Sequence, residues 1–399
     1  MRRIAVVGSG SRAYDCYAEF MVTEFVGKAQ IVGVYDINPV RSKVFKEKIG
    51  DDCKVYDDFD KMLDAEKPDY VFVLTTDCTH HEYIVRALDK GFDVISEKPV
   101  TNTFERCKAI REAEKRSGHK VTVTFNCRYM PYLAKAKELL NEGRIGKILA
   151  INYEYCLDRQ HGGSYMQRWH RKMEFSQSLY LHKSTHHFDI VNWLVDDEPK
   201  YVSALANTVY YNDTSKSFAD RCYNCSKKEE CESYTKLNEK LYLDAEKEDG
   251  YIVDKCSFSG DIDIYDNMSI SVMYSKGALL TYSLNMFSEH EGYRMVVTGE
   301  KGMMILNVWY DETSDKDVIE FIFKNGTKEY VTFKKATGLH GGGDKKMIEH
   351  LFGLKTEDPL GQHAELFDGF ASAMIGICAN ESIKEHKTVD ATKYLDQLR

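Results

Sequence analysis

The chain has 399 residues, of which 43% are hydrophobic and 29% charged, with a formal net charge of -9. That is the composition of a globular protein with a sizeable core, long enough for two or three domains of about 150 residues. The acidic balance argues against a nucleic-acid surface, which needs clustered Lys and Arg. No apolar run approaches the ~18 residues of a membrane span.

The N-terminus enters a strand pattern at once, with no cleavable apolar leader. Its eleven cysteines are an odd number and scattered. They read mostly as reduced, buried thiols, and the expected setting is the cytoplasm. Gly8-Ser9-Gly10-Ser11-Arg12-Ala13 follows the first apolar run and opens the first helix-like segment. Gly8 permits the tight turn, Gly10 lets a pyrophosphate approach the backbone, and Ala13 is small enough for helix–strand packing. The helix start adds N–H groups and a positive dipole end, with Ser11 and Arg12 beside the phosphates. Asp36, ending the second run, stands where a carboxylate accepts from the adenosine ribose. It favours NAD, and nearby Arg41 leaves NADP open.

β-Branched runs at Ile4–Val7, Ile31–Tyr35, Tyr70–Leu74, Asp93–Ser96 and Val121–Phe125 alternate with helix-like segments at Tyr14–Val26, Val40–Lys48, His81–Lys90 and Phe104–Ser117. This alternation predicts an α/β fold with an N-terminal Rossmann, doubly wound parallel sheet over residues 1–128. The pattern then changes. A helix is expected at 132–141, a strand at 148–155 and an amphipathic helix over 178–195. Strand-like runs follow at 200–211, 268–274, 278–286, 293–298, 303–308 and 318–323. Asn325-Gly326 marks a hairpin. Helices near 344–354 and 363–379 close the chain. Residues 129–399 thus predict a C-terminal α+β domain with a large, open, mostly antiparallel sheet and a polar insertion at about 214–256.

Ser96-Glu97-Lys98-Pro99 ends a strand of the Rossmann half. With Thr75-Thr76-Asp77-Cys78-Thr79-His80, Asn126-Cys127-Arg128-Tyr129, Gly143-Arg144-Ile145-Gly146 and His186-His187-Phe188-Asp189 before Trp193-Leu194, it forms an ordered set over nearly the whole chain. The set resembles the Gfo/Idh/MocA family of glucose–fructose oxidoreductase and inositol dehydrogenase relatives. Thr76 stands where the family has proline. The resemblance implies a Rossmann domain followed by an α/β domain whose open sheet packs against another subunit, as a homodimer or homotetramer. It also implies that Thr75, Thr76, His80, Glu97 and Asn126 hold the cofactor, and that Lys98 sits beside the nicotinamide and the reacting hydroxyl.

Physically, oxidising an alcohol needs a hydride acceptor and a group that takes the hydroxyl proton. A lysine with a lowered pKa supplies the second. His182, Lys183 and His186 share one helix face at spacings of three and four. The family's Asp is His182 here, so Lys98, Lys183 and His186 are the expected catalytic groups, with His182 reading equally as a core histidine. Arg128, His182 and His340 are further candidate substrate contacts. His340-Gly341-Gly342-Gly343-Asp344 suits either a backbone passing close to a ligand or a flexible loop with Asp344 as a cap. Cys222, Cys225, Cys231 and Cys256 have the spacing of a structural zinc site, although reduced thiols need no metal.

The expected function is an NAD(P)-dependent oxidoreductase acting on a hydroxyl or keto carbon of a sugar, cyclitol or glycoside. Two alternatives stand beside it. One is a glycoside-cleaving enzyme that keeps its NAD⁺ through transient oxidation, elimination and re-reduction. The other is a dinucleotide-binding sensor, against which Lys98 argues. No nucleic acid or membrane partner is expected.

Overall fold

The computed structural model describes residues 1–310, 313–354 and 356–399, and all but the side chain of Leu339 among them. Six parallel strands form the first sheet: β1 Arg2–Val7, β2 Ala29–Tyr35, β3 Lys54–Tyr56, β4 Tyr70–Val73, β5 Asp93–Ser96 and β6 Val121–Val123. Their spatial order is β3-β2-β1-β4-β5-β6. The order reverses beside β1, which opens a crevice at the strands' carboxyl ends. The apolar runs are buried as expected; residues Ile4 to Val7 are wholly inaccessible. Helices cover both faces, and local signals set their ends. Asn38 caps Pro39–Ile49, with proline in its first turn, and Thr103 caps Phe104–Ser117, which stops at left-handed Gly118. Strand β3, three residues long, and the helix Phe59–Glu66, whose buried Phe59, Met62, Leu63 and Glu66 follow the helical period, were not anticipated.

The second sheet has nine strands: β7 Ile148–Asp158, β8 Pro199–Asn207, β9 Asn267–Tyr274, β10 Leu279–Ser288, β11 Gly292–Gly299, β12 Gly302–Trp309, β13 Lys316–Phe323, β14 Lys328–Lys334 and β15 Val389–Asp390. Their order is β14-β13-β12-β11-β7-β10-β9-β8-β15. Among the described residues of this sheet only β7 and β10 pair in parallel; the remaining pairs are antiparallel. Asn325 and Gly326, both with φ 76°, make the expected hairpin between β13 and β14. One face of the sheet is buried and the other open, as the alternation along β9 and β10 shows.

Two helices join the sheets. The segment expected as one amphipathic helix over 178–195 is two, Leu179–His182 and Ser184–Val195, broken at Lys183. The second piece is buried nearly all round, because it lies between both sheets rather than on a surface. The helix Leu366–Glu385 packs so closely that a Cβ on Gly369 would lie 2.8 Å from Val123, and one on Gly376 2.8 Å from the Tyr180 carbonyl. Just before it, Ala364 accepts a bond from the Val123 N–H of β6 (3.1 Å). The Gly343–Leu351 helix returns to the first sheet, where Met347, Ile348 and Phe352 complete a core with Phe25, Phe45 and Phe72. No helix among the described residues is long and apolar enough to cross a membrane.

Candidate active site

The carboxyl ends of β1, β2, β4 and β5 deliver the expected residues to one crevice. Gly8 has φ +89°, and a Cβ there would lie 2.7 Å from the Leu74 backbone. Only glycine makes this turn. At Gly10 a Cβ would meet nothing nearer than the Tyr242 hydroxyl at 3.9 Å, so the backbone stays approachable. Asp36 is locked to the loop, accepting from Ser9 N (2.7 Å) and Ser9 Oγ (3.0 Å). Its other oxygen accepts from Asn38 N (2.8 Å), with Arg41 Nε at 3.5 Å. A glycine cradle with a fixed carboxylate at its lip fits a dinucleotide. A Gly8→Ala chain should therefore lose NADH binding, measured as loss of the fluorescence change on titration, because either the turn or Leu74 must move.

Residues expected to touch a cofactor separately form one network here. Arg12 pairs with Glu97 (2.6 Å) and Asp344 (2.7 Å), and Tyr17 donates to Glu97 (2.8 Å). Asp344 also accepts from Asn126 Nδ2 (2.8 Å) and faces His340 Nδ1 at 2.6 Å. Burial pushes both carboxyls up, but their partners outweigh it. Arg12 holds Glu97 below the usual range, and His340 with Arg12 holds Asp344 well below it. Asn126 keeps one buried oxygen without a partner, an open acceptor at the crevice. Gly343 serves packing rather than ligand approach: a Cβ there would lie 2.7 Å from the Asn126 carbonyl. His80 is a brace, its ring nitrogens on the Pro99 carbonyl (2.8 Å) and the Thr75 carbonyl (3.0 Å). Thr79 Oγ1 lies 2.9 Å from both Thr75 Oγ1 and the Thr76 carbonyl, with one proton to give to either, and this shapes the same loop.

Lys98 leaves β5 toward the break between the two central helices, where its Nζ donates to the His182 carbonyl (2.9 Å). Burial pulls its pKa down to about 8, against the opposing pull of Asp77 and Glu97. His182 Nδ1 lies 2.7 Å from Asp77. Burial, then Lys98 and Lys183, hold His182 well below its usual pKa, while burial raises Asp77 to about 7. His182 is therefore the neutral partner in this hydrogen bond, and Asp77 holds a proton more readily than an ordinary carboxyl. His186 is likewise kept neutral by burial and the two lysines, and its Nδ1 has no partner. Lys183 behaves oppositely. Burial lowers it, but Tyr165, Glu291 and Tyr310 outweigh that and hold it above its ordinary value. Its Nζ lies 5.4 Å from the Tyr155 ring centre. The chamber thus has one lysine poised to be neutral and one that stays charged.

Further chamber residues were not singled out in the sequence. His170 stacks on Trp169 (3.8 Å) and meets His182 edge-on (4.2 Å). His161 stacks on Tyr165 (5.2 Å), and its Nδ1 reaches both Glu291 oxygens at 2.9 and 3.0 Å. Burial and Lys183 keep His161 neutral, so Nδ1–H donates to the Glu291 carboxylate and Nε2 is left as the basic nitrogen. The helix Arg159–Gln167, capped by Asp158, sets this ring, and Gly162 allows it: a Cβ there would lie 2.0 Å from the Met286 carbonyl. His161-Gly162-Gly163 was the available signal, a second His-Gly-Gly run like that at His340.

Two expectations are corrected. Arg128 is not open to a substrate. It grips Asp189 with two bonds (2.9 and 2.6 Å), reaches Asp368 (3.2 Å) and the Gly361 carbonyl (3.2 Å), and is 3% exposed. Cys222, Cys225, Cys231 and Cys256 are free thiols, and no cluster of three or more His, Cys, Asp or Glu among the described residues is arranged to hold a metal. The insertion is held instead by Arg221, paired with Glu246 and Asp254 at 2.6 Å each, and by the Tyr223 N–H on Asp254 (2.7 Å).

Comparison with known proteins bears on the whole chain. The profile of an oxidoreductase family with an NAD-binding Rossmann fold matches residues 2–125, and that of the Gfo/Idh/MocA C-terminal domain matches residues 133–305. A putative oxidoreductase, YteT, of Bacillus subtilis (strain 168) is 34% identical over 424 residues, 98% of this chain and 97% of its own. An inositol 2-dehydrogenase of Azotobacter vinelandii is 29% identical over 202 residues, 50% of this chain and 56% of its own. In fold, a levoglucosan dehydrogenase solved with NADH and levoglucosan is similar with a TM-score of 0.71 at 18% identity, covering 98% of this chain and 99% of that one. With residues 2–125 and 133–305 matched by two profiles of one family and a relative aligned over 98% of the chain, the chain belongs to the Gfo/Idh/MocA family of NAD-binding oxidoreductases.

Proposed function

We propose that this chain is an NAD-dependent dehydrogenase that moves a hydride to or from a hydroxyl-bearing carbon of a sugar, cyclitol or glycoside. The observation that carries the reading is Lys98, half-buried beside the crevice and drawn down to about 8 at a point where the dinucleotide cradle and a polar, aromatic chamber meet. Gly8, Gly10, Ser11, Asp36 and Asn126 would hold the cofactor, which supplies the hydride acceptor or donor when bound. Thr75, Thr76 and His80 shape the wall, and Arg12 with Glu97 fixes the loop bearing Lys98. Neutral Lys98 takes the hydroxyl proton. Charged Lys183 holds substrate oxygen, while neutral His182 and His186 offer hydrogen bonds without charge. His340 stands at the Asp344 side of the opening. The rings of Trp169 and Tyr165 suit the apolar face of a sugar ring. The fixed Asp36 favours NAD over NADP. The open face of the large sheet supports a homodimer or homotetramer built across it.

A second reading is favoured by the His161–Glu291 pair. A neutral histidine oriented by a carboxylate, apart from Lys98, is a further acid–base group. A simple alcohol oxidation does not use it. Cleavage of a glycoside through transient oxidation does, because a second proton leaves the carbon beside the ketone as the aglycone departs. Incubating purified protein and NAD⁺ with a panel of sugars, cyclitols and glycosides separates the readings. NADH accumulation supports the dehydrogenase. Aglycone release without NADH accumulation replaces it with the cleaving enzyme. NADH binding with neither signal leaves a sensor.

A further inference from the structure

The 208–266 excursion between β8 and β9 does not hang from the second sheet as a surface loop. Its tip crosses to the first sheet and seats on the adenosine side of the crevice. Leu241 and Ala245 are fully buried there. The Tyr242 hydroxyl lies 2.6 Å from Ser11 Oγ and accepts from Ser11 N (3.2 Å). Asn38, the cap of the helix after β2, donates its side-chain amide to the Ala245 carbonyl (2.9 Å). Arg41 bonds Asp249, with the two side chains only 10% and 18% exposed. On its other side the tip reaches the chamber, where Tyr251 accepts from Trp169 N (3.3 Å) and meets the Tyr242 ring edge-on.

From these contacts we infer that residues 239–251 are a clasp over the dinucleotide, one that slows its release and sets the preference against a 2′-phosphate. The inference rests on the dinucleotide reading of the crevice. The Ser11 N–H is one of the unsatisfied first-turn donors on which this fold places phosphate oxygen. Tyr242 sits on that donor. A hydroxyl has a proton of its own, so it turns from accepting from Ser11 to donating to a phosphate oxygen.

Arg41 is the cation nearest the ribose carboxylate, and two carboxylates share it: Asp36 at 3.5 Å and Asp249. Their sum is negative, which repels a 2′-phosphate. Without Asp249, Arg41 is free to receive one. Tyr251 on Trp169 then links the clasp to the chamber wall.

The test is NADH release from the full chain, followed by stopped-flow fluorescence after a chase with excess NAD⁺, with equilibrium titrations of NADH and NADPH. Tyr242→Phe removes one oxygen and should speed NADH release by about tenfold while leaving the NADPH-to-NADH preference unchanged. Asp249→Asn should speed release and also shift that preference toward NADPH by about tenfold. Amide hydrogen exchange in residues 239–251 should slow when NADH is added. NADH bound by the wild type, with release, preference and exchange all unmoved by these changes, overturns the clasp alone. A wild-type chain that binds neither NADH nor NADPH overturns the dinucleotide reading itself.

Discussion

Replacing Lys98 by methionine is expected to lower kcat by about 10²–10⁴-fold, the range for loss of a positioned acid–base group, while NADH still binds. The stem of methionine fills the same space, so the chamber keeps its walls. What is lost is the amine whose pKa burial draws from 10.5 to about 8. The sign of the pH dependence follows. In oxidation the neutral amine is the proton acceptor, so the wild-type rate rises with pH through about 8 and levels above it. In reduction the ammonium is the donor, so that rate falls through the same region. Lys98→Met should flatten both limbs. A rate limb that persists unchanged in the variant, or a kcat within a few-fold of wild type, removes Lys98 from the chemistry.

Asp189→Ala should cost about 3–5 kcal/mol of stability, read from urea denaturation, because it leaves the buried Arg128 charge with only the half-exposed Asp368 as its counter-charge. Arg128 and Asp189 side chains are 4% and 1% exposed and joined by two parallel bonds. They tie the segment after β6 to the central helix Ser184–Val195. Replacing both, as Arg128→Met with Asp189→Leu, should recover most of the loss, since the desolvation cost goes with the charges. A loss below about 1 kcal/mol for Asp189→Ala is the behaviour of an exposed pair and would sink this account. A substrate role for Arg128 would show differently, as a raised KM in Arg128→Met with stability little changed.

The first sheet was legible because its signals are local. β5 and the helix Phe104–Ser117 fall where apolar runs and caps place them. The place of Lys98 at the crevice was legible because Glu-Lys-Pro, which resembles the family's motif, stands at the end of such a strand. Contacts across long separations were not. Glu291 lies 130 residues from His161, and nothing in either neighbourhood names the other. The break at Lys183 was hidden because positions three and four apart look alike whether the helix runs on or restarts. Arg128 looked available because a sequence shows its charge but not Asp189, 61 residues away, which takes its donors. The cysteine quartet had zinc-like spacing, but the arginine and acid pairs that staple the insertion carry no spacing rule.

The packing of Met347, Ile348 and Phe352 against the first sheet has a consequence for how the protein is made. Phe352 lies against Phe25 (5.7 Å) and Phe72 (6.2 Å), and Arg12 waits for Asp344, 332 residues later. At about 5–20 residues per second, the nascent first sheet, complete at Val123, spends roughly 10–45 s with that face bare before Phe352 is made. During this interval Phe25 and Phe72 are exposed to chaperones or to neighbouring nascent chains. The dinucleotide half is thus first in the message and among the last parts to be finished, and a fragment cut at residue 128 inherits the unfinished face permanently.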